Sequence, residues 1–153
     1  MLSRPAFLVL AAALVLLPAR GDDLQDRYGS VDIRPGKSSI FIGTVTLTMP
    51  PFVRKNGVFT STYSATVFPY FFFDETGTIT IDVPDEMLRR VARGERIGFA
   101  GLGTSDEGDN RRVEGSAEPI DSTTGRITVR VYVSKRLSLA FNTSYRLKPN
   151  GTQ

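Results

Sequence analysis

The 153-residue chain contains no cysteine, no histidine and no tryptophan. Without thiols or imidazoles, its own side chains cannot form a disulfide, a thiolate or imidazole metal site, a Cys–His pair or a Ser–His–Asp triad. No catalytic residues, metal or cofactor are therefore predicted, and a non-enzymatic protein is expected. The absence of cysteine also excludes the lipid attachment that bacterial lipoproteins use.

A large excess of charge of one sign is missing as well. The formal net charge is +3, and it falls to +1 if Arg4 and Arg20 are removed with an N-terminal signal segment. Such a small excess creates no strong electrostatic field around the protein. We therefore expect no nucleic-acid partner.

The N-terminus has the pattern of an export signal at residues 1–21. Arg4 precedes an apolar run at 6–17, Pro18 ends that run, and small residues flank Arg20 before the expected cleavage point. The run is shorter than the roughly 20 residues that span a bilayer, so a retained membrane anchor is the less favoured alternative. An exported protein is predicted, periplasmic or extracellular and not a lipoprotein.

The rest of the chain consists of short segments with apolar residues at every second position, which is typical of antiparallel strands. The sequence indicates a flexible arm at 22–38, one β-domain at 39–148 and a tail at 149–153. Within the domain, a strand running from Phe41 to Pro50 is predicted with Phe41 inward and a bulge at Gly43. A tight turn at 74–77 is expected to close a later hairpin.

Two further patterns refine the fold. Pro84, two acidic residues and Gly94 bound an amphipathic stretch that predicts one short helix near 85–93. Near the C-terminus, a three-residue loop at 134–136 would pair Val133 with Leu137 and keep all apolar side chains on one face. The fold class is thus all-β, with about eight antiparallel strands forming a small barrel or a two-sheet sandwich.

Aromatic residues are concentrated between positions 52 and 73, where they could fill a core, line an apolar pocket or form a contact surface. The residues with the strongest claim to contact a ligand or partner surround the run at 70–73. They are Tyr63, Phe68, Tyr70, Phe71, Phe72 and Phe73. The expected partner is an apolar small molecule or another envelope protein.

Two charged clusters have simpler interpretations. Arg89, Arg90, Arg93 and Arg96 could hold an anion, but Asp85–Arg89 and Glu86–Arg90 have the i,i+4 spacing of a solvated helix face. The acidic residues at 106–109 do not match the spacing of a calcium-binding loop, so an exposed turn is expected there.

These observations favour an exported binding or envelope-structural module that acts through its Phe-rich segment. One alternative is a small outer-membrane β-barrel, although several strands are shorter than the 9–11 residues that such strands need and membrane insertion is not expected. Another is a carboxylate-dependent hydrolase of envelope polysaccharide that uses Asp82, Asp85 or Glu86. Those three residues also suit the start of a helix.

Overall fold

The structure, a computed structural model, describes residues 28–149, which form an antiparallel barrel with one short α-helix, α1. The predicted signal segment, the start of the predicted arm and most of the predicted tail lie outside these residues. The elements in chain order are β1 Ser30–Ile33, β2 Gly36–Ile40, β3 Gly43–Thr48, β4 Phe52–Lys55, β5 Val58–Phe68, β6 Glu75–Asp82, α1 Asp85–Ala92, β7 Ile97–Ser105, β8 Asn110–Pro119, β9 Thr124–Tyr132 and β10 Ser138–Lys148.

Eight strands close the barrel through antiparallel ladders in the cyclic order β5, β6, β7, β8, β9, β10, β1, β4 and back to β5. The other two strands extend the wall at one end, where β3 pairs with β5 and β2 pairs with β3. Near this extension the Arg34 N–H donates to the Ser144 carbonyl of β10. The predicted all-β fold is confirmed, and the barrel is the alternative that the chain adopts.

Prolines explain why ten strands occupy about eight positions around the wall. Pro35 separates β1 from β2, and Pro50 and Pro51 separate β3 from β4. Proline has no N–H to donate and a fixed φ, so a ladder cannot run through it unchanged. Each interrupted segment crosses the barrel as one bent strand, with its first half at one end and its second half at the other.

The helix closes one end of the barrel, which we call the closed end. Leu88 and Val91 of α1 are buried among inward residues of the strands, including Phe52, Ile97 and Leu147. Buried Arg54 of β4 donates to the Val83 carbonyl at 2.9 Å and to Asp85 Oδ1 at 2.6 Å, which fixes the start of the helix. The helix predicted near 85–93 is therefore present, and it packs on the barrel through its apolar stripe.

The predicted alternation of apolar residues is largely confirmed in the core. Val45, Leu47, Met49, Phe59, Ile79, Ile81, Ile127 and Val129 are all buried. The final hairpin has the predicted register, since Leu139 pairs with Val131 and the Val133 N–H donates to the Leu137 carbonyl at 2.9 Å. Only this register between β9 and β10 keeps their apolar side chains on the face that points into the core, as the sequence pattern requires.

Three local predictions are wrong. Strands β1 and β2 occupy much of the predicted arm at 22–38, because the inward side chains of Val31 and Ile33 complete the core. Phe41 is not inward in a strand, since β2 and β3 form a hairpin that turns at Phe41 and Ile42. The β5–β6 connection spans residues 69–74 and includes a 3-10 turn at Phe71–Phe73, so no tight turn exists at 74–77.

Tyr145 in the closed half leads to a stability prediction. Its side chain is 6% exposed, and its hydroxyl has no hydrogen-bond partner among residues 28–149. Because an unsatisfied buried hydroxyl is unfavourable by about 1–3 kcal/mol, Tyr145→Phe should raise the free energy of unfolding by about 1 kcal/mol at neutral pH. Chemical denaturation measures this change. Tyr63→Phe is the control, and it should destabilise because the Tyr63 hydroxyl donates to Glu75 Oε1.

Alkaline pH should enlarge the difference between Tyr145→Phe and the natural chain. Burial raises the pKa of Tyr145 from 10.0 to about 12, helped by the nearby Asp121 carboxylate. The folded state therefore retains this proton more strongly than the unfolded state. The resulting stability is full below about pH 10 and is lost as the pH rises towards 12. Tyr145→Phe should lack this part of the alkaline loss, and an unchanged alkaline profile would contradict the assignment.

Candidate ligand-binding cavity

The half of the barrel away from α1 contains a cavity of about 420 Å³. Its wall is mostly aliphatic and aromatic, because the inward residues of the strands converge there without filling the centre. Ile42, Phe73 and Leu137 belong to the lining and are also exposed, so the cavity opens to solvent between the loops that carry them. The lining also includes Ile40, Val45, Leu47, Tyr63, Ala65, Val67, Ile79, Val113, Val131, Val133, Leu139 and Phe141.

Three polar side chains interrupt this apolar wall and bind one another. The Tyr63 hydroxyl donates to Glu75 Oε1 at 2.6 Å, and Arg111 Nη2 donates to Glu75 Oε2 at 2.9 Å. Asp109 Oδ2 lies 3.6 Å from the same Arg111 nitrogen, outside hydrogen-bond range but close enough for attraction. The cavity therefore has one polar region on its wall, near its opening, and it contains a paired positive and negative charge.

Burial raises the pKa of Tyr63 above its ordinary value, and the hydrogen bond to Glu75 raises it further. The hydrogen bond to Glu75 also raises the pKa of Arg111. Tyr63 therefore stays protonated and Arg111 stays charged throughout the physiological pH range. Tyr63 and Arg111 are therefore constant hydrogen-bond donors on the cavity wall.

Glycine at position 77 makes room for this arrangement. A Cβ atom there would lie 2.8 Å from Cε1 of Tyr63 and 2.2 Å from the Thr104 carbonyl oxygen. The ring of Tyr63 can lie against the wall only because Gly77, its partner in the β5–β6 ladder, has no side chain. This contact brings the hydroxyl within reach of Glu75, two residues before Gly77 on β6.

The opening is surrounded by exposed apolar side chains, which we call the apolar rim. They come from the β2–β3 turn, the end of β5, the β5–β6 connection and the β9–β10 loop. The rim comprises Phe41, Ile42, Phe68, Tyr70, Phe71, Phe72, Phe73 and Leu137. Within the connection, rings pack on one another, with centroids 4.5 Å apart for Phe72 and Phe73 and 5.7 Å apart for Tyr70 and Phe72.

The predicted contact residues thus divide between two neighbouring places. Tyr63 and Phe73 line the cavity itself, whereas Phe68, Tyr70, Phe71 and Phe72 lie on the rim. The other aromatic residues of this segment, Phe52 and Phe59, belong to the core. A single aromatic-rich stretch therefore contributes to the core, the cavity and the exposed surface.

The predicted anion-contact arginines lie far from the cavity, on α1 and just after it. Glu86 and Glu95 pair with them at 3.0–3.6 Å: Arg89 and Arg93 with Glu86, and Arg90 and Arg93 with Glu95. Arg96 donates to the hydroxyl of Ser116 at 3.1 Å. The two expected i,i+4 pairs do not form, because Asp85 pairs with buried Arg54 and Glu86 reaches Arg89 and Arg93 instead.

Asp106, Glu107 and Asp109 surround the β7–β8 turn, where Asp106 accepts a hydrogen bond from Thr76 and Asp109 faces Arg111. Within residues 28–149, no cluster of three or more acidic side chains could hold a metal ion. The same described part of the chain contains no helix long and apolar enough to cross a bilayer.

Sequence reasoning missed the polar network, although it identified Tyr63. The turn predicted at 74–77 includes Glu75, and nothing in the spacing of Glu75 and Arg111 shows that their side chains meet. Arg111 lies 36 residues after Glu75, and β7 runs between their two strands. Two charged residues at inward positions near the same end of their strands would have indicated this contact. Such positions can be recognised only when the strand boundaries are known.

Comparison of the chain with protein-family models, with curated proteins and with solved structures finds no match.

Proposed function

We propose that this chain is an exported, non-enzymatic binding protein that holds an apolar small molecule in its barrel. The observation that carries the proposal is the cavity of about 420 Å³ with an opening at one end. Ligand sites in proteins typically have volumes of about 300–1,000 Å³ and are mostly apolar with a few fixed polar groups. Both properties describe this cavity.

The polar network supports a more specific choice of ligand. Tyr63, Glu75 and Arg111 form the main polar region of an otherwise apolar lining. A ligand with one hydrogen-bonding group and an apolar body would fit this distribution, because its polar group could reach the network near the opening. A strongly charged ligand is disfavoured, since Glu75 already neutralises Arg111 and burial of an unpaired charge is unfavourable.

The burial pattern favours this proposal over the two alternatives. An outer-membrane barrel needs apolar side chains on its outer surface, whereas β5 alternates buried Phe59 and Tyr63 with exposed Thr60 and Thr62. A carboxylate-dependent hydrolase needs two acids facing one cleft. Asp85 instead pairs with Arg54, and Glu86 pairs with arginines on the exposed face of α1.

Blocking the cavity tests the proposal. Ala65 faces the cavity from β5, so Ala65→Trp should fill part of the space in which a ligand binds. N-Phenyl-1-naphthylamine, a neutral fluorophore that brightens in apolar surroundings, is a suitable probe. We expect saturable binding to the natural chain and affinity at least about tenfold weaker for Ala65→Trp, equivalent to roughly 1.4 kcal/mol.

Ala100→Trp is the matched control, because Ala100 lies exposed on the outer wall of β7. It introduces the same side chain without entering the cavity and should bind the probe as the natural chain does. Bound probe should also raise the melting temperature of the natural chain, since it stabilises the folded state alone. No saturable fluorescence gain, or equal binding by Ala65→Trp, would refute the proposal.

A further inference from the structure

The apolar rim is a second feature that the cavity alone does not explain. Phe41 is fully exposed at the β2–β3 turn, and Phe72 is 76% exposed in the β5–β6 connection. A soluble protein rarely exposes so many large apolar side chains together unless they contact another apolar surface. Their grouping at one end of the molecule indicates one contact surface.

The two aromatic loops lie side by side. Thr44 pairs with Phe68 in the β3–β5 ladder, and a Cβ on Gly43 would lie 2.1 Å from the Phe68 carbonyl oxygen. The β2–β3 turn and the β5–β6 connection are therefore joined at their bases. Leu137 of the β9–β10 hairpin, like Ile42 and Phe73, lines the cavity, so all three loops meet at the opening.

We infer that the apolar rim docks this barrel onto the surface of a lipid bilayer. The rings are carried on projecting loops, so they can enter a soft interface without a complementary rigid pocket. The rim also surrounds the opening of an apolar cavity, and a bilayer provides an apolar phase continuous with that opening. Amphipathic surfaces with Phe, Tyr and Leu on one side bind membranes in this shallow manner.

Charge around the opening is mixed. Exposed Lys135 and Arg136 belong to the β9–β10 hairpin, whereas exposed Asp106 and Glu107 belong to the β7–β8 turn, which is hydrogen-bonded to Thr76 beside the β5–β6 connection. These charges do not favour anionic over neutral headgroups. Docking should therefore depend on the apolar rim and should occur on neutral lipid.

The inference goes beyond the proposed function, and it can be tested without a cavity ligand. The chain has no tryptophan, so Phe72→Trp introduces one fluorophore at the rim. We expect its emission to shift to the blue with phosphatidylcholine vesicles, with or without phosphatidylglycerol, and to be quenched by brominated lipid. Ile120→Trp is the matched control, since Ile120 is exposed in the β8–β9 loop at the closed end. It should show neither change.

Vesicle sedimentation gives a second readout that needs no new fluorophore. Phe41→Ser combined with Phe72→Ser should reduce the bound fraction about tenfold or more, because two large apolar contacts are lost. Ile120→Ser combined with Val53→Ser removes two exposed apolar residues elsewhere and should leave binding unchanged. All variants share the apolar run at 6–17, so any binding through that run is the same in both pairs. A difference in bound fraction between the pairs therefore reports the contribution of the rim. Their circular dichroism should match that of the natural chain, because all four positions are exposed.

Three results would overturn the inference. The first is an unshifted Phe72→Trp spectrum on both kinds of vesicle, and the second is equal loss of binding in the rim and control pairs. The third is concentration-dependent dimerisation that Phe72→Ser abolishes, without vesicle binding, which would assign the rim to a second copy of the chain. None of these results depends on binding of the naphthylamine probe, so docking and cavity binding can fail separately.

Discussion

Gly115→Ala is expected to destabilise the barrel by about 3 kcal/mol or more, the upper range for overpacking a core. A Cβ on Gly115 would lie 2.3 Å from Cζ of Phe99, its ladder partner on β7, and 2.4 Å from the Thr128 carbonyl oxygen on β9. The ring could move only by displacing other core residues, and the carbonyl belongs to the wall itself. Urea unfolding monitored by circular dichroism measures the change.

Gly36→Ala is the matched control for this substitution. A Cβ on Gly36 would lie 3.0 Å from Cβ of Phe141, with no closer atom. A shift of a few tenths of an ångström relieves that contact, and alanine lowers the entropy of the unfolded chain. We expect a change below about 1 kcal/mol. Similar losses for the two variants would show that the spacing at Gly115 does not control stability.

Phe52→Ala should destabilise the closed half by about 3–5 kcal/mol, the usual range for truncating a buried phenylalanine. Phe52 is 0% exposed, and it lines the same small apolar space as Leu88 and Val91 of α1. Its removal leaves a void between the helix and the strands. The strands cannot move to close this void without breaking hydrogen bonds of their ladders. Thermal and urea unfolding should both report the loss, with the melting temperature falling accordingly.

Phe72→Ala is the control within the same aromatic-rich segment. Phe72 is exposed, so its truncation removes little buried area and should change the free energy of unfolding by less than about 0.5 kcal/mol. If both variants lost several kcal/mol, the division of the aromatic residues between core and rim would be wrong. If neither did, Phe52 would not be the core residue that its burial indicates.

The sequence predicts the parts of this fold that depend on alternation. Along β9 and β10, Val129, Leu139 and Phe141 lie on the dry face because a shift by one residue would expose them all. The helix was equally predictable, since Pro84 and Gly94 bound its apolar stripe. In both cases the signal is local.

Prediction failed where distant strands decide the outcome. Phe41 matches the inward phase of β3, yet it lies in a turn because Ile40 pairs with Gly43. Val31 and Ile33 were assigned to a flexible arm, since their strand is short and gains its stability from ladders with β10 and β4. Glu75 and Arg111 meet only after the barrel has closed, and no local spacing encodes that contact.

The sequence could not decide between a filled core and an apolar pocket, for a related reason. Whether Val131 and Val133 fill the centre or only line it depends on the width of the barrel, which follows from strand number and stagger. The Phe-rich segment was identified as the region of contact, and residues 70–73 do lie at the opening. Their division between lining and rim depends on the 3-10 turn at Phe71–Phe73, which the run of aromatic residues did not indicate.

Closure of the wall also bears on how this chain avoids self-association through its backbone. Within residues 28–149, β2 has a ladder on one side, with β3, and its other edge faces β10 across the Arg34–Ser144 bond. It is five residues long, follows Pro35 and carries exposed Lys37. Short length, proline and lysine all hinder the addition of a foreign strand. The molecule can thus expose apolar side chains on its loops without offering an edge strand on which neighbouring chains could build a fibril.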